Sequence, residues 1–192
     1  MSNTYARCRK IREDDLEMIM NWRMLPEVTK YMLTDPKLTI EGQKKWYEGI
    51  KAQYDKPIND RDSFHWILEV DEVPVGVVSM IDWDKNNNII HTGEYVAVKE
   101  KSSIKLIIDL HYSMNEFAFD TLGVNKIAFE IMSNNKGVMR INKRFGAHED
   151  GIMRSEVYKY GEYLDLHLFS ILKNEWEELK NKTKYDKIEF EI

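Results

Sequence analysis

Cysteine occurs once, as Cys8, so no disulfide can close within the chain and no multi-cysteine zinc site can form; a lone thiol fits a reducing compartment. The four prolines (Pro26, Pro36, Pro57 and Pro74) all precede Val75, so none interrupts the backbone beyond it. No Pro/Gly/Ser-rich linker, low-complexity tract or internal repeat divides the 192 residues. Apolar runs nowhere approach the roughly 18 residues of a membrane span, and Met1 to Lys10 lacks the apolar stretch of a secretory leader. Positive charge is not in excess: 28 Lys and Arg face 33 Asp and Glu, a net charge of −5. That balance gives neither nucleic acid nor an anionic membrane a basic patch to bind. No His/Asp/Glu group has metal-ligand spacing, so no metal is expected. Neither a Gly-x-Ser-x-Gly elbow nor a P-loop occurs.

What is present is 43% hydrophobic and 11% aromatic, enough for a sizeable core in one domain. A cytoplasmic single-domain protein is expected. Arg7 to Ile11 reads as a short strand. Asp14 with Glu17 three places on suggests a capping box before a helix carrying Leu16, Ile19 and Met20, which Pro26 should end. Gln43, Trp46, Tyr47, Ile50 and Tyr54 recur at helical spacing from about Thr39. The period then falls to two over Phe64–Val70, and Val75–Trp83 and Ile89–Val98 continue a three-strand meander, with Asp84–Asn88 as a turn. A helix over Ser103–Thr121, a strand over Lys126–Met132, a helix over Lys136–Phe145 and a hairpin about Gly161 follow. Residues from Lys173 onward read as a charged tail, so the domain is placed at 7–178 and the tail at 179–192. Strands mixed with crossover helices in this order argue for an α/β or α+β sheet domain.

Four phrases in this order carry a resemblance: Ile11-Arg12-Glu13-Asp14-Asp15-Leu16, Gly76-Val77-Val78, Asn134-Asn135-Lys136 through Arg144-Phe145-Gly146, and Tyr160-Gly161-Glu162-Tyr163-Leu164-Asp165. Together they resemble the GCN5-related N-acetyltransferase superfamily, nearest its ribosomal-protein-alanine and diamine acetyltransferase branch. Asn21-Trp22-Arg23-Met24-Leu25-Pro26-Glu27-Val28 with Tyr31-Met32 looks like a stretch of the pseudaminic-acid pathway enzymes, which acetylate a 4-amino group on a UDP-linked deoxysugar. The resemblance implies a mixed, mostly antiparallel sheet of six or seven strands flanked by helices. It also implies acetyl-CoA as co-substrate and a small-molecule amine as acceptor. A homodimer is compatible with the sequence, which is silent on assembly.

By that resemblance the pantetheine arm pairs with the fourth strand at Val96, Ala97 and Val98, and Asn135 contacts it. The pyrophosphate meets the helix start at Ser102, Ser103, Ile104, Lys105, Leu106 and Ile107, where unpaired amides and the helix dipole favour an anion. The family's phosphate loop carries two glycines; Lys105 and Ile107 stand at those positions here, and Lys105 would add a charge contact. The family's tyrosine acid is replaced by Ile141, which leaves Tyr158, Tyr160 and Tyr163 as phenols able to serve. Amide formation needs a base for the amine proton; Glu94 and Glu130 are the candidates, with His91 behind them. His111 and His167 read as packing or surface residues. Arg23 is placed as a clamp for a substrate phosphate, with Tyr31 and Met32 as acceptor wall. The acceptor is a primary amine, with the UDP-linked amino-sugar, a protein N-terminus and a polyamine as alternatives. A reading of another class is a non-catalytic acyl-CoA-binding module.

Overall fold

The computed structural model describes residues 5–192; residues 1–4, the start of the segment read as lacking a leader, lie outside the described residues. An eight-stranded sheet runs in the order β6-β7-β5-β4-β3-β2-β1-β8. Its strands are β1 (Ala6–Lys10), β2 (Phe64–Val70), β3 (Val73–Asp84), β4 (Ile89–Val96), β5 (Lys126–Met132), β6 (His148–Lys159), β7 (Glu162–Leu172) and β8 (Glu189–Phe190). The pairs β4–β5 and β1–β8 are parallel, and the other neighbours are antiparallel. The helices are α1 (Leu16–Met24), α2 (Pro26–Thr29), α3 (Ile40–Tyr54), α4 (Ile104–Glu116), α5 (Lys136–Arg144) and α6 (Lys173–Leu179).

Local chemistry accounts for most boundaries. Thr39 Oγ1 accepts from the Gly42 amide at 3.2 Å to open α3, and Ser103 Oγ accepts from Leu106 at 3.0 Å to open α4. Pro26 ends α1 and, having no amide hydrogen to leave unpaired, begins α2. The β6–β7 turn holds Tyr160 and Gly161 at φ of 55° and 83°, the left-handed pair that matches strand twist. The Asp14 cap does not form. A 3-10 turn over Glu13–Asp15 precedes α1, and Asp15 folds back to accept from the Arg12 amide at 2.8 Å. Arg9 decides this: its buried guanidinium draws Asp15 inward at 2.6 and 2.8 Å, while Asp14 stays in solvent.

The stretch 179–192 does not simply trail from the domain, because it adds a short strand to the sheet. Glu189 and Phe190 of β8 pair with Arg7 and Cys8, Ile188 is buried, and Phe190 packs edge-on against Trp66 at 4.8 Å. The charge count of that stretch conceals two apolar anchors, Ile188 and Phe190. This is the strand beyond the six or seven expected.

One face of the sheet carries α1 and α3 over Ile67 and Val77. The other carries Leu110, Met114 and Trp176, from α4 and α6, over Trp66, Val78 and Ile90. On β4, Tyr95 opposes Val77 and Glu94 opposes Val78, so these neighbours face opposite layers. Gly76 lets β3 approach this point; a Cβ there would run into the Tyr95 carbonyl oxygen and lie 3.0 Å from Val96 Cα. The pairing of β4 with β5 covers Ile89, Ile90 and His91. Beyond His91 the two strands part.

Candidate active site

That parting opens a cavity of about 380 Å³, within the range of small-molecule sites. Thr92 to Val96 line it from β4, and Phe129, Glu130 and Ile131 from β5. Ile107 and His111 reach it from α4, Asn135 and Ile141 from the start and middle of α5, and Glu27, Val28, Tyr31 and Met32 from α2 and the loop after it. Because β4 and β5 diverge, the space is lined by residues of both sheet faces. Glu94 shares the face of α4, whereas Glu130 alternates with Phe129 and Ile131 and belongs to the opposite one.

Glu94 Oε1 stands 2.9 Å from His111 Nε2, and the two side chains keep 24% and 13% of their surface exposed. Burial pushes the Glu94 carboxyl up, but the charge and hydrogen bond of His111 overcome it and hold the group below the usual carboxylate range. It is therefore a carboxylate at neutral pH. Glu130 is exposed and takes no hydrogen-bond or ion-pair partner among the described residues. Sequence reading missed His111. The signal was its spacing: Ile107, His111, Met114 and Asn115 form one i, i+4, i+7, i+8 face, and that face lines the cavity. Tyr95 was also missed. Its hydroxyl is sealed from solvent without a partner among the described residues, and burial pushes the phenol up, opposed by the charge of Arg23.

The other candidates divide. Tyr31 and Met32 line the cavity, but Arg23 does not; its guanidinium lies against Met32 Sδ. Tyr158, Tyr160 and Tyr163 are 65%, 62% and 68% exposed and lie outside it, so none is placed to protonate a leaving group there. His91 pairs with Ala128 where β4 and β5 still touch, and His167 bonds Glu149; neither lines the cavity. Ile141 does, at the position where the resemblance sets a tyrosine acid.

The residues present fit a coenzyme A thioester in part. Val96 and Asn135 line the opening, and no side-chain bond from Asn135 to its helix competes for it. The amides of Ala97 and Val98 are both taken by the Val75 carbonyl, at 2.8 and 3.1 Å. At the helix start, Ser103 Oγ and carbonyl take the amides of Leu106 and Ile107, leaving those of Ser103, Ile104 and Lys105 without a partner among the described residues. These three are the donors an anionic phosphate would meet. Leu106 is buried in the core, Ile104 is exposed, and Ser102 donates its amide to Lys99. The Lys105 ammonium is engaged elsewhere, with Asp109 at 2.7 Å and Asp186 at 2.8 Å. Among the described residues no helix is long and apolar enough to cross a membrane.

Comparison with known proteins gives the same picture. The chain is 29% identical over 102 residues to the "Putative ribosomal N-acetyltransferase YdaF" of Bacillus subtilis, a match spanning 53% of this chain and 55% of that one. It is 22% identical over 168 residues to the uncharacterized N-acetyltransferase p20 of Bacillus licheniformis, covering 88% and 93% of the two. The spermidine N-acetyltransferase of Vibrio cholerae, solved in complex with CoA and spermine, superposes with a TM-score of 0.76 at 17% identity, over 92% of this chain and 99% of that one. At that identity the likeness establishes the fold. The family model of the acetyltransferase (GNAT) domain matches residues 7–148, about three-quarters of the sequence. The chain thus belongs to the GNAT acetyltransferases, enzymes that transfer an acetyl group from acetyl-CoA to an amine.

Proposed function

We propose that the acceptor is a small cationic amine of the polyamine class, bound across the opening between β4 and β5. The observation that carries this reading is the charge of the cavity: Glu27, Glu94 and Glu130 line it, and among the described residues no lysine or arginine does. A phosphorylated acceptor such as a UDP-linked amino-sugar would bring two negative charges into that lining, with Arg23 outside it. Like charges at close range repel, most strongly beside the partly buried Glu94. The spermine in the Vibrio cholerae relative's structure supports the same class.

Acetyl-CoA supplies an activated acetyl thioester. The chain's own residues supply binding and proton handling. Glu130 and Glu27 attract the protonated amine, and Glu94 accepts the proton that the attacking nitrogen must lose. His111 keeps the Glu94 carboxylate ionised and oriented by the 2.9 Å bond. Phe129, Val138, Ile141 and Phe145 give the cavity apolar walls that keep water from competing.

Incubation with acetyl-CoA and a panel of spermine, a UDP-linked 4-amino-deoxysugar and an alanine-initiated peptide, reading free thiol, tests the assignment. Spermine should turn over fastest. Preference for the nucleotide sugar or the peptide would overturn the cationic reading, and thiol release with none, despite calorimetric binding of acetyl-CoA, would identify a binding module.

A further inference from the structure

We propose that Lys159, at the far end of β6, is a positioning residue for the acceptor, tying down the loop that presents Tyr31 and Met32 to the cavity. The inference rests on the amine-acetylating reading of that cavity. Lys159 keeps 1% of its side-chain surface exposed, an unusual place for an ammonium. Its Nζ donates to the Thr29 carbonyl at 2.7 Å and to the Met32 carbonyl at 2.6 Å, pairs with Asp35 Oδ1 at 2.8 Å, and reaches the Thr34 carbonyl at 3.5 Å. Every one of these acceptors lies between Thr29 and Asp35, more than 120 residues away in sequence.

The arrangement has a geometric consequence. Thr29 and Met32 bracket Lys30 and Tyr31, and the Met32 amide already donates to the Thr29 carbonyl at 3.0 Å. One ammonium gripping both carbonyls closes that turn from the inside, so Tyr31 projects outward, 42% exposed and on the cavity wall. No regular secondary structure spans residues 30–39, so beyond that one Met32–Thr29 bond no helix or strand pairing holds the loop. A buried cation is stable only when its donors are satisfied, and here backbone carbonyls and one carboxylate satisfy them. The tip of the β6–β7 hairpin is thereby coupled to one wall of the acceptor site.

Two measurements on the full chain test this. In amide hydrogen exchange without any ligand, Lys159→Met should speed exchange across residues 28–35 at least tenfold and leave β2 and β3 unchanged. In steady-state kinetics with spermine, its KM should rise about tenfold while the KM for acetyl-CoA stays within twofold. Asp35→Asn, which changes one exposed partner and spares the buried ammonium, should move both readouts in the same direction by less. Unchanged exchange at 28–35 in both variants would overturn the proposal, as would a proportionate rise in both KM values, the mark of general loosening. Should wild-type protein leave spermine unacetylated, the polyamine reading fails by itself. The exchange comparison then decides the loop tie without any amine.

Discussion

Glu94→Gln removes one proton acceptor and little else. Glutamine matches the shape of glutamate, and its amide oxygen can still accept from His111 Nε2, at 2.9 Å in the native pair. A positioned general base contributes roughly 10²–10⁴ in rate, which is about 2.7–5.4 kcal/mol of transition-state stabilisation at 1.36 kcal/mol per decade. At pH 7.5, kcat with spermine should fall by that factor while acetyl-CoA binding holds. The deficit should narrow as pH rises toward 10, about where an alkylamine loses its proton unaided. Glu130→Gln should behave differently, raising the spermine KM several-fold with kcat nearly intact, because its exposed carboxylate attracts rather than reacts. Stability provides a second reading of the Glu94 pair. Folding holds the carboxyl below its unfolded value of 4.5, so the contribution is complete above that value and is lost as pH falls through the lower folded one. Melts from pH 7 to pH 3 should therefore show the wild type losing its advantage over Glu94→Gln on acidification. A kcat within twofold of wild type at pH 7.5, with the melt intact, would refute Glu94 as the base.

Arg9→Met strands Asp15 beside an apolar side chain in a site where both partners are about nine-tenths buried. Breaking such a pair from one side costs about 3–5 kcal/mol, or roughly 6–20 °C in Tm for a chain this size, and calorimetry would read it. Burial pushes the Asp15 carboxyl up, but Arg9 and the Arg12 amide hold it below the usual range; without Arg9 burial prevails, so the penalty should begin to fade above the ordinary carboxylate value and continue as pH falls through the lowered wild-type one. Lys105→Ala should change the acetyl-CoA Kd less than threefold, because its ammonium is already held by Asp109 and Asp186; a tenfold loss by calorimetry would show instead that it binds phosphate. Gly76→Ala should push β4 from β3 at Tyr95 and raise the acetyl-CoA KM severalfold, with no such change from Gly49→Ala, where a Cβ meets open space.

Much of the fold was legible because periodicity is a local property. Phe64–Val70 alternates in sequence and is β2, although Ile67 and Glu69 are buried on its second face as well; Ser103 and Thr39 stand where helix starts require an acceptor, and both make that bond. The site was legible to the extent that it lies on those elements. Glu94, Glu130, Tyr31, Met32 and Asn135 all line the cavity, because they lie on β4, β5, the α2–α3 loop and the start of α5. Arg23 and the three hairpin tyrosines do not. Their residue types suited the chemistry, but direction in space is set by packing, which no one-dimensional pattern encodes.

The sequence by itself determined composition, the lack of a second cysteine for an intrachain disulfide, the order of elements as far as β7 and the phrases that announce the family, since each depends on residues close together in the chain. Tertiary structure decided which distant groups meet. Lys105 reads as a phosphate ligand until Asp109 on its own helix and Asp186, from a stretch that reads as a tail, engage it at 2.7 and 2.8 Å. His111 reads as packing until β4 brings Glu94 beside it. Lys159 carries no signal in the sequence; the carbonyls of Thr29 and Met32 that close around it give it a role. The contacts with Asp186, Glu94 and Thr29 each join groups between 17 and 130 residues apart, which only the packing of separate elements brings together.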